Sequence, residues 1–156
     1  MSSIYEVPLL LHREGLDGIV VQIGEERYII PTVFIKETLR PSPADLSTVQ
    51  NRGELIKVRN THLPLVRLHQ ALGAVPRKEQ PWEALVVVVE NEGRQKGLMV
   101  DDLVGKQEVV IKNLGEKLKA VKGVAGATIM GDGRVGLILD VHGIFEIDLN
   151  SPAAHA

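Results

Sequence analysis

Short aliphatic and β-branched runs, separated by turn residues, recur along almost the whole chain. Residues 18–23 and 27–30 flank Gly24-Glu25-Glu26, and residues 55–58 and 63–68 flank Arg59-Asn60-Thr61-His62. Residues 84–89 and 96–100 flank Asn91-Glu92-Gly93, and residues 127–130 and 134–139 flank Gly131-Asp132-Gly133. Each pattern predicts a hairpin, the last with glycines that supply the positive φ of a tight turn. Tyr5 to Leu11 and Lys106 to Lys112 add further strands, giving about ten at roughly the 8–12-residue spacing of barrels and sandwiches. Helical patterning is confined to the short stretches 32–39, 68–72 and 141–147. The pattern predicts an all-β fold.

Two of these strands, Leu85-Val86-Val87-Val88-Val89 and Leu137-Ile138-Leu139, are apolar at every position instead of alternately. A strand with one wet face alternates, so these call for cover on both faces. Two small barrels packed together, with shared strands sandwiched between them, meet that demand. A weak internal repeat agrees: residues 24–35 align with 93–104 at a shift of 69, and 53–68 with 126–141 at a shift of 73. Each half then carries a hairpin, a short helical turn, a second hairpin and another short helix, about five strands in all. Residues 40–52, a loop with room for one helical turn, and 73–81 read as connections. The chain is expected to be one domain over residues 1–156, with a structured core of about 5–149 and a tail at 150–156.

Composition narrows the function classes. Aromatics are only 3% of the 156 residues (Tyr5, Tyr28, Phe34, Trp82 and Phe145), so the core must be Val, Ile and Leu. That argues against stacking platforms for single-stranded nucleic acid. Twenty acidic against eighteen basic residues give −2, unlike the basic excess of a duplex binder. With no cysteine, thiolate and Fe–S chemistry are excluded. The N-terminus lacks the pattern of a secretion signal, and the longest apolar run, Ala84 to Val89, is far short of the ~20 residues of a membrane helix. A soluble, intracellular protein without direct membrane insertion is expected.

Catalytic constellations are scarce. His12, His62, His69, His142 and His155 fall in no metal-ligand spacing, and His12 has no helix bundle to ride as a phosphoacceptor. Asp101-Asp102, Asp132 and Asp140 are read structurally: Asp102 opening a helical turn, Asp132 in a tight turn, Asp140 capping a short helix. Gly131-Asp132-Gly133 joins two strands and lacks Gly-Lys-Ser/Thr, so it is no phosphate loop. The lysines at 112, 117, 119 and 122 read as a solvated surface. There is no nucleophile elbow. No catalytic residue, metal site or cofactor is assigned.

The run Val100 to Lys112, then Leu114-Gly115, Gly123 to Gly133 and Leu137 to Val141, resembles the C-terminal regulatory domain of the chemotaxis histidine kinase CheA, a homologue of the coupling adaptor CheW. Gly53 to Arg59 with Leu63 to Val66 is similar to the family's first-half hairpin, and the likeness extends from about Leu16 to Ile147. The resemblance implies two five-stranded SH3-like barrels around a shared core. It also implies a non-catalytic docking module that couples chemoreceptors to kinase activity. The implied partners are a CheW-type adaptor, the cytoplasmic tip of a chemoreceptor and the other domains of the histidine kinase.

Ile35-Lys36-Glu37 matches the adaptor pattern Val-x-Glu, and Arg59 matches the arginine of its Asn-x-Arg-Gly hairpin, with Asn60 in place of Gly. The resemblance thus makes Ile35, Glu37 and Arg59 the expected partner-binding residues. The same Glu37 and Arg59 also fit an ion pair that only braces the first barrel. Thr38 and Leu39 depart from the adaptor pattern and suit the kinase branch better than a free-standing adaptor. A small-barrel nucleic-acid binder is the distant alternative, opposed by the charge and the scarce aromatics.

Overall fold

The computed structural model describes residues 15–51, 53–110 and 123–147. The expected strand at Tyr5 to Leu11, His12, the four lysines from 112 to 122, and the tail with His155 lie outside the described residues. Two sheets account for the described strands. Sheet one has the order β10-β11-β2-β1-β9, built from β1 (Leu16–Ile23), β2 (Glu26–Pro31), β9 (Asp102–Val109), β10 (Val124–Ile129) and β11 (Val135–Leu139). Sheet two has the order β3-β7-β8-β6-β5-β4. Its strands are β3 (Ile35–Leu39), β4 (Leu46–Val49), β5 (Gly53–Val58), β6 (Thr61–Arg67), β7 (Leu85–Asn91) and β8 (Arg94–Val100). Two short helices, α1 (Leu68–Leu72) and α2 (Val141–Glu146), follow β6 and β11.

The all-β, two-barrel expectation holds, and the repeat explains its topology. In each sheet a hairpin lies at the centre, β1–β2 or β7–β8, and a second hairpin joins it through a parallel pair, β2 with β11 or β8 with β6. The halves nevertheless do not each build one barrel. After β2 the chain crosses to sheet two, where β3 pairs with β7; after β8 it crosses to sheet one, where β9 pairs with β1. Each barrel therefore contains strands from both halves.

The apolar strands owe their composition to two-sided burial. Between the sheets lies a cluster that includes Val21, Tyr28, Ile30, Val66, Val87, Val89, Leu98, Val100 and Leu139. The interior of sheet two holds Ile56, Leu63, Val86, Val88 and Met99, and that of sheet one holds Val20, Ile29, Met130 and Ile138. Successive residues face opposite ways along a strand. Val86 and Val88 thus fill a barrel while Val87 and Val89 face the seam between the barrels.

Three expectations need correction. Residues 32–39 form no helix: a single 3-10 turn, Thr32–Phe34, leads into β3, because Ile35, Glu37 and Leu39 alternate with exposed Lys36 and Thr38 and the strand finds a partner in β7. The connection 40–52 does carry its one helical turn, Pro43–Asp45, but then adds β4 against β5. Asp102 begins β9 instead of a helical turn.

Because both sheets close on one seam, damage there should weaken the whole molecule. Leu98, fully buried in the seam, is the test position. Leu98→Ala is expected to lower the unfolding free energy by about 2–5 kcal/mol in urea titrations, with one transition retained. Two separate transitions would contradict the shared seam.

Candidate functional site

Ile35, Glu37 and Arg59 are brought to one end of sheet two by two local features. The first is a bulge in β3: Ile35 pairs with Val89 and Glu37 with Val88, so Lys36 has no opposite residue. Val89 faces the seam and Val88 the barrel interior, and Ile35 accordingly packs on the seam cluster. Past the bulge, Glu37 and Leu39 share the face of Val88 and Val86, with Leu39 packed on the interior. Lys36 turns outward to Glu90 at 2.7 Å. The bulge thus redirects Glu37 from the seam to the mouth of the barrel.

The second feature is the tight turn between β5 and β6. Val58 pairs with Thr61, leaving Arg59 and Asn60 as a two-residue connection with φ of 50° and 65°. Positive φ at both positions matches the twist of a hairpin, and Asn at the second accepts it at little cost. Arg59 Nε donates to Glu37 Oε2 at 2.9 Å. Strands are spaced about 4.8 Å apart, so in a flat sheet β3 and β5, four places apart, would lie roughly 19 Å from each other. The ion pair therefore marks the closure of the sheet into a barrel.

This pair is a surface feature. The Arg59 side chain is 80% exposed and Glu37 29%. The Glu37 hydrogen bond, and secondarily its charge, hold the Arg59 guanidinium above its ordinary proton affinity. Solvent screens such a pair, so it contributes little to stability. A second pair braces β5 and β6 more firmly: Arg67 holds both Glu54 oxygens, at 2.8 and 2.9 Å, and is the less exposed of the two arginines.

At the matching end of sheet one, the β10–β11 turn carries Asp132, which stands at Arg59's position under the shift of 73. Asp132 Oδ1 accepts the Arg134 N–H at 3.0 Å and Oδ2 accepts from Arg27 at 2.8 Å, so the tight-turn reading stands. A cleft of about 260 Å³ lined by Glu25, Glu26, Arg27, Arg134 and Val135 opens beside it. Ile129 and Val135, paired across the hairpin, are 61% and 55% exposed. Nothing in the sequence marks this apolar pair, since each resembles a strand residue facing inward, nor the exposed Val33, which lies in the stretch 32–39 that reads as helical. Asp140 caps α2 as expected, accepting the Gly143 N–H at 3.0 Å. Among the described residues no group of three or more His, Cys, Asp or Glu is placed to hold a metal ion, and no helix is long and apolar enough to cross a membrane.

The sequence profile described as the CheW-like domain matches residues 17–148. The chain belongs to the CheW-like domain family. It is 38% identical over 126 residues to the chemotaxis protein CheA of Klebsiella aerogenes, an alignment covering 81% of this chain and 19% of the relative. With the CheA of Rhizobium meliloti the identity is 39% over 144 residues, 92% of this chain and 19% of the relative. With the sensor histidine kinase CheAY of Helicobacter pylori it is 36% over 142 residues, 91% and 17% respectively. This CheW-like domain therefore spans about a fifth of the length of these relatives. Its fold is shared with the scaffolding protein TtCheW from Thermoanaerobacter tengcongensis, at a TM-score of 0.68 and 19% identity, covering 86% of this chain and 94% of that one.

Two outcomes follow from the electrostatics. Arg59→Ala should leave the thermal midpoint nearly unchanged, since the guanidinium is solvent-exposed; a large fall would show a structural brace. His69, on α1, is held below its ordinary pKa of 6.5 by burial first and Arg67 second, against the opposing pull of Asp101, Glu54 and Glu79. The unfolded chain thus binds this proton more readily, so the contribution is present above about pH 6.5 and is lost as pH falls below it. The urea midpoint should drop between about pH 7.5 and 5.5, and His69→Gln should flatten that drop. Asp45 and Asp132, held low mainly by the backbone N–H groups of Ser42 and Arg134, add their loss only below about pH 4.

Proposed function

We propose that this domain is a non-catalytic docking module of bacterial chemotaxis that couples chemoreceptors to histidine kinase activity. The match of residues 17–148 to the CheW-like domain, together with 36–39% identity to CheA kinases, carries the reading. The partners are a CheW-type adaptor, the cytoplasmic tip of a chemoreceptor and the remaining domains of a histidine kinase, and the module works in the cytoplasm beside the receptor array. Glu37 and Arg59 lie on the docking face, where the exposed guanidinium offers donors to an incoming surface. Ile35 acts from behind, fixing β3 on the seam so that Glu37 stays at the barrel mouth.

Binding of the folded domain to an immobilised CheW-type adaptor tests this directly. The wild-type domain should be retained, and Arg59→Glu, which places two carboxylates together, should bind at least about tenfold more weakly while keeping its circular dichroism. Failure of the folded wild type to bind either adaptor or receptor tip would overturn the proposal. Equal binding by the variant would remove Arg59 from the docking face.

A further inference from the structure

The connection after α1 runs as an extended strap, residues 73–81, with exposed and half-buried positions alternating as far as Gln80 and Pro81 buried at its end. It leaves the helix through Gly73, φ 70°, and the Ala74 N–H returns to the His69 carbonyl at 2.8 Å. Midway, a buried carboxylate takes hold of it. Asp101, 2% exposed, lies where the chain leaves β8 in sheet two for β9 in sheet one. Its Oδ2 accepts the Arg77 N–H at 2.8 Å and the Gly24 N–H at 2.7 Å; its Oδ1 accepts the Lys78 N–H at 3.2 Å. The Asp101 N–H donates to the Gln22 carbonyl at 2.9 Å, and Gln22 Nε2 donates to the Gly24 carbonyl at 2.8 Å.

One side chain therefore joins three backbone segments: the β1–β2 turn, the crossing between the sheets and the strap. Gly24 suits this closure twice over, since its φ is +61° and a Cβ there would meet the Val75 carbonyl oxygen. Other contacts on the strap are an Arg67 bond to the Glu79 carbonyl and the ion pairs Arg77–Glu25 and Lys78–Asp102, which lie in or near solvent and hold weakly. The opposite crossing, from β2 to β3, is built differently. Thr32 stands there at the repeat-equivalent place of Asp101, and its hydroxyl is buried without a hydrogen-bond partner.

We propose that Asp101 is a latch that holds the strap shut over the β1–β2 turn, so that loss of its carboxylate lets strap and turn open together as one local unit while the barrel interiors stay closed. Charge-assisted bonds to several backbone donors are strong, and their loss exposes amides locally before the whole molecule unfolds. The device is independent of the docking reading above.

Hydrogen exchange read by mass spectrometry on the full chain tests it. Asp101→Asn keeps the shape but turns an amide group toward backbone donors, and Gly24→Ala pushes on the strap with Asp101 intact. Each should speed exchange across 73–81 and around Gly24 by at least about tenfold, with β5, β6, β10 and β11 near wild-type protection. If one variant fails to fold, the pattern of the other decides. Unchanged strap exchange, acceleration spread equally over those strands, or loss of the folded spectrum in both variants would overturn the latch.

Discussion

Burial of four strands on both faces is the constraint on which the rest of this structure depends. β1, β2, β7 and β8 form the centres of the two sheets, and alternate residues on each fill either a barrel or the seam between barrels. Consecutive apolar residues in the buried stretch of each strand (Ile19–Val21, Tyr28–Ile30, Leu85–Val89 and Leu98–Val100) are the consequence, and so is the low aromatic content: two small interiors and one thin seam are filled at close packing mainly by Val, Ile and Leu. Tyr28 and Phe145 are the buried exceptions, both on the seam.

The exchange of edge strands follows from the same constraint. β3 and β9 each leave the hairpin they follow and join the opposite sheet, and each carries a register shift against its new partner. In β3 that shift separates Ile35, which belongs to the seam, from Glu37, which reaches the barrel mouth and Arg59. The place of Glu37 beside Arg59 is thereby set by seam packing two residues away. Asp101, at the other crossing, converts a junction in the chain into a point that holds the β1–β2 turn and the strap together.

The sequence was most legible where period and turn chemistry agree. The runs around 85–89 and 137–139 announced two-sided burial, and the turns at 24, 59–60, 93 and 131–133 located the hairpins. The shifts of 69 and 73 matched equivalent elements in the two halves, though not the parallel pairs between hairpins or the trade of strands between the halves. β3 and β4 were less readable because short polar strands depend on partners: β7 lies some fifty residues beyond β3, and Ile35-Lys36-Glu37-Thr38-Leu39 fits a helical turn as well as a strand. The pairing of Glu37 with Arg59 came from the family resemblance, whereas Asp101's donors at 24, 77 and 78 lie too far apart for any local pattern to connect them.

The central claim is that the mouth of sheet two, where Glu37 meets Arg59, is where a CheW-type adaptor docks. Titrating the isotopically labelled domain with unlabelled adaptor, and following backbone amide shifts by NMR, addresses it most directly. The account predicts shifts that saturate and cluster on β3 and the β5–β6 turn. Saturating shifts confined to other surfaces, with those amides unmoved, would contradict it.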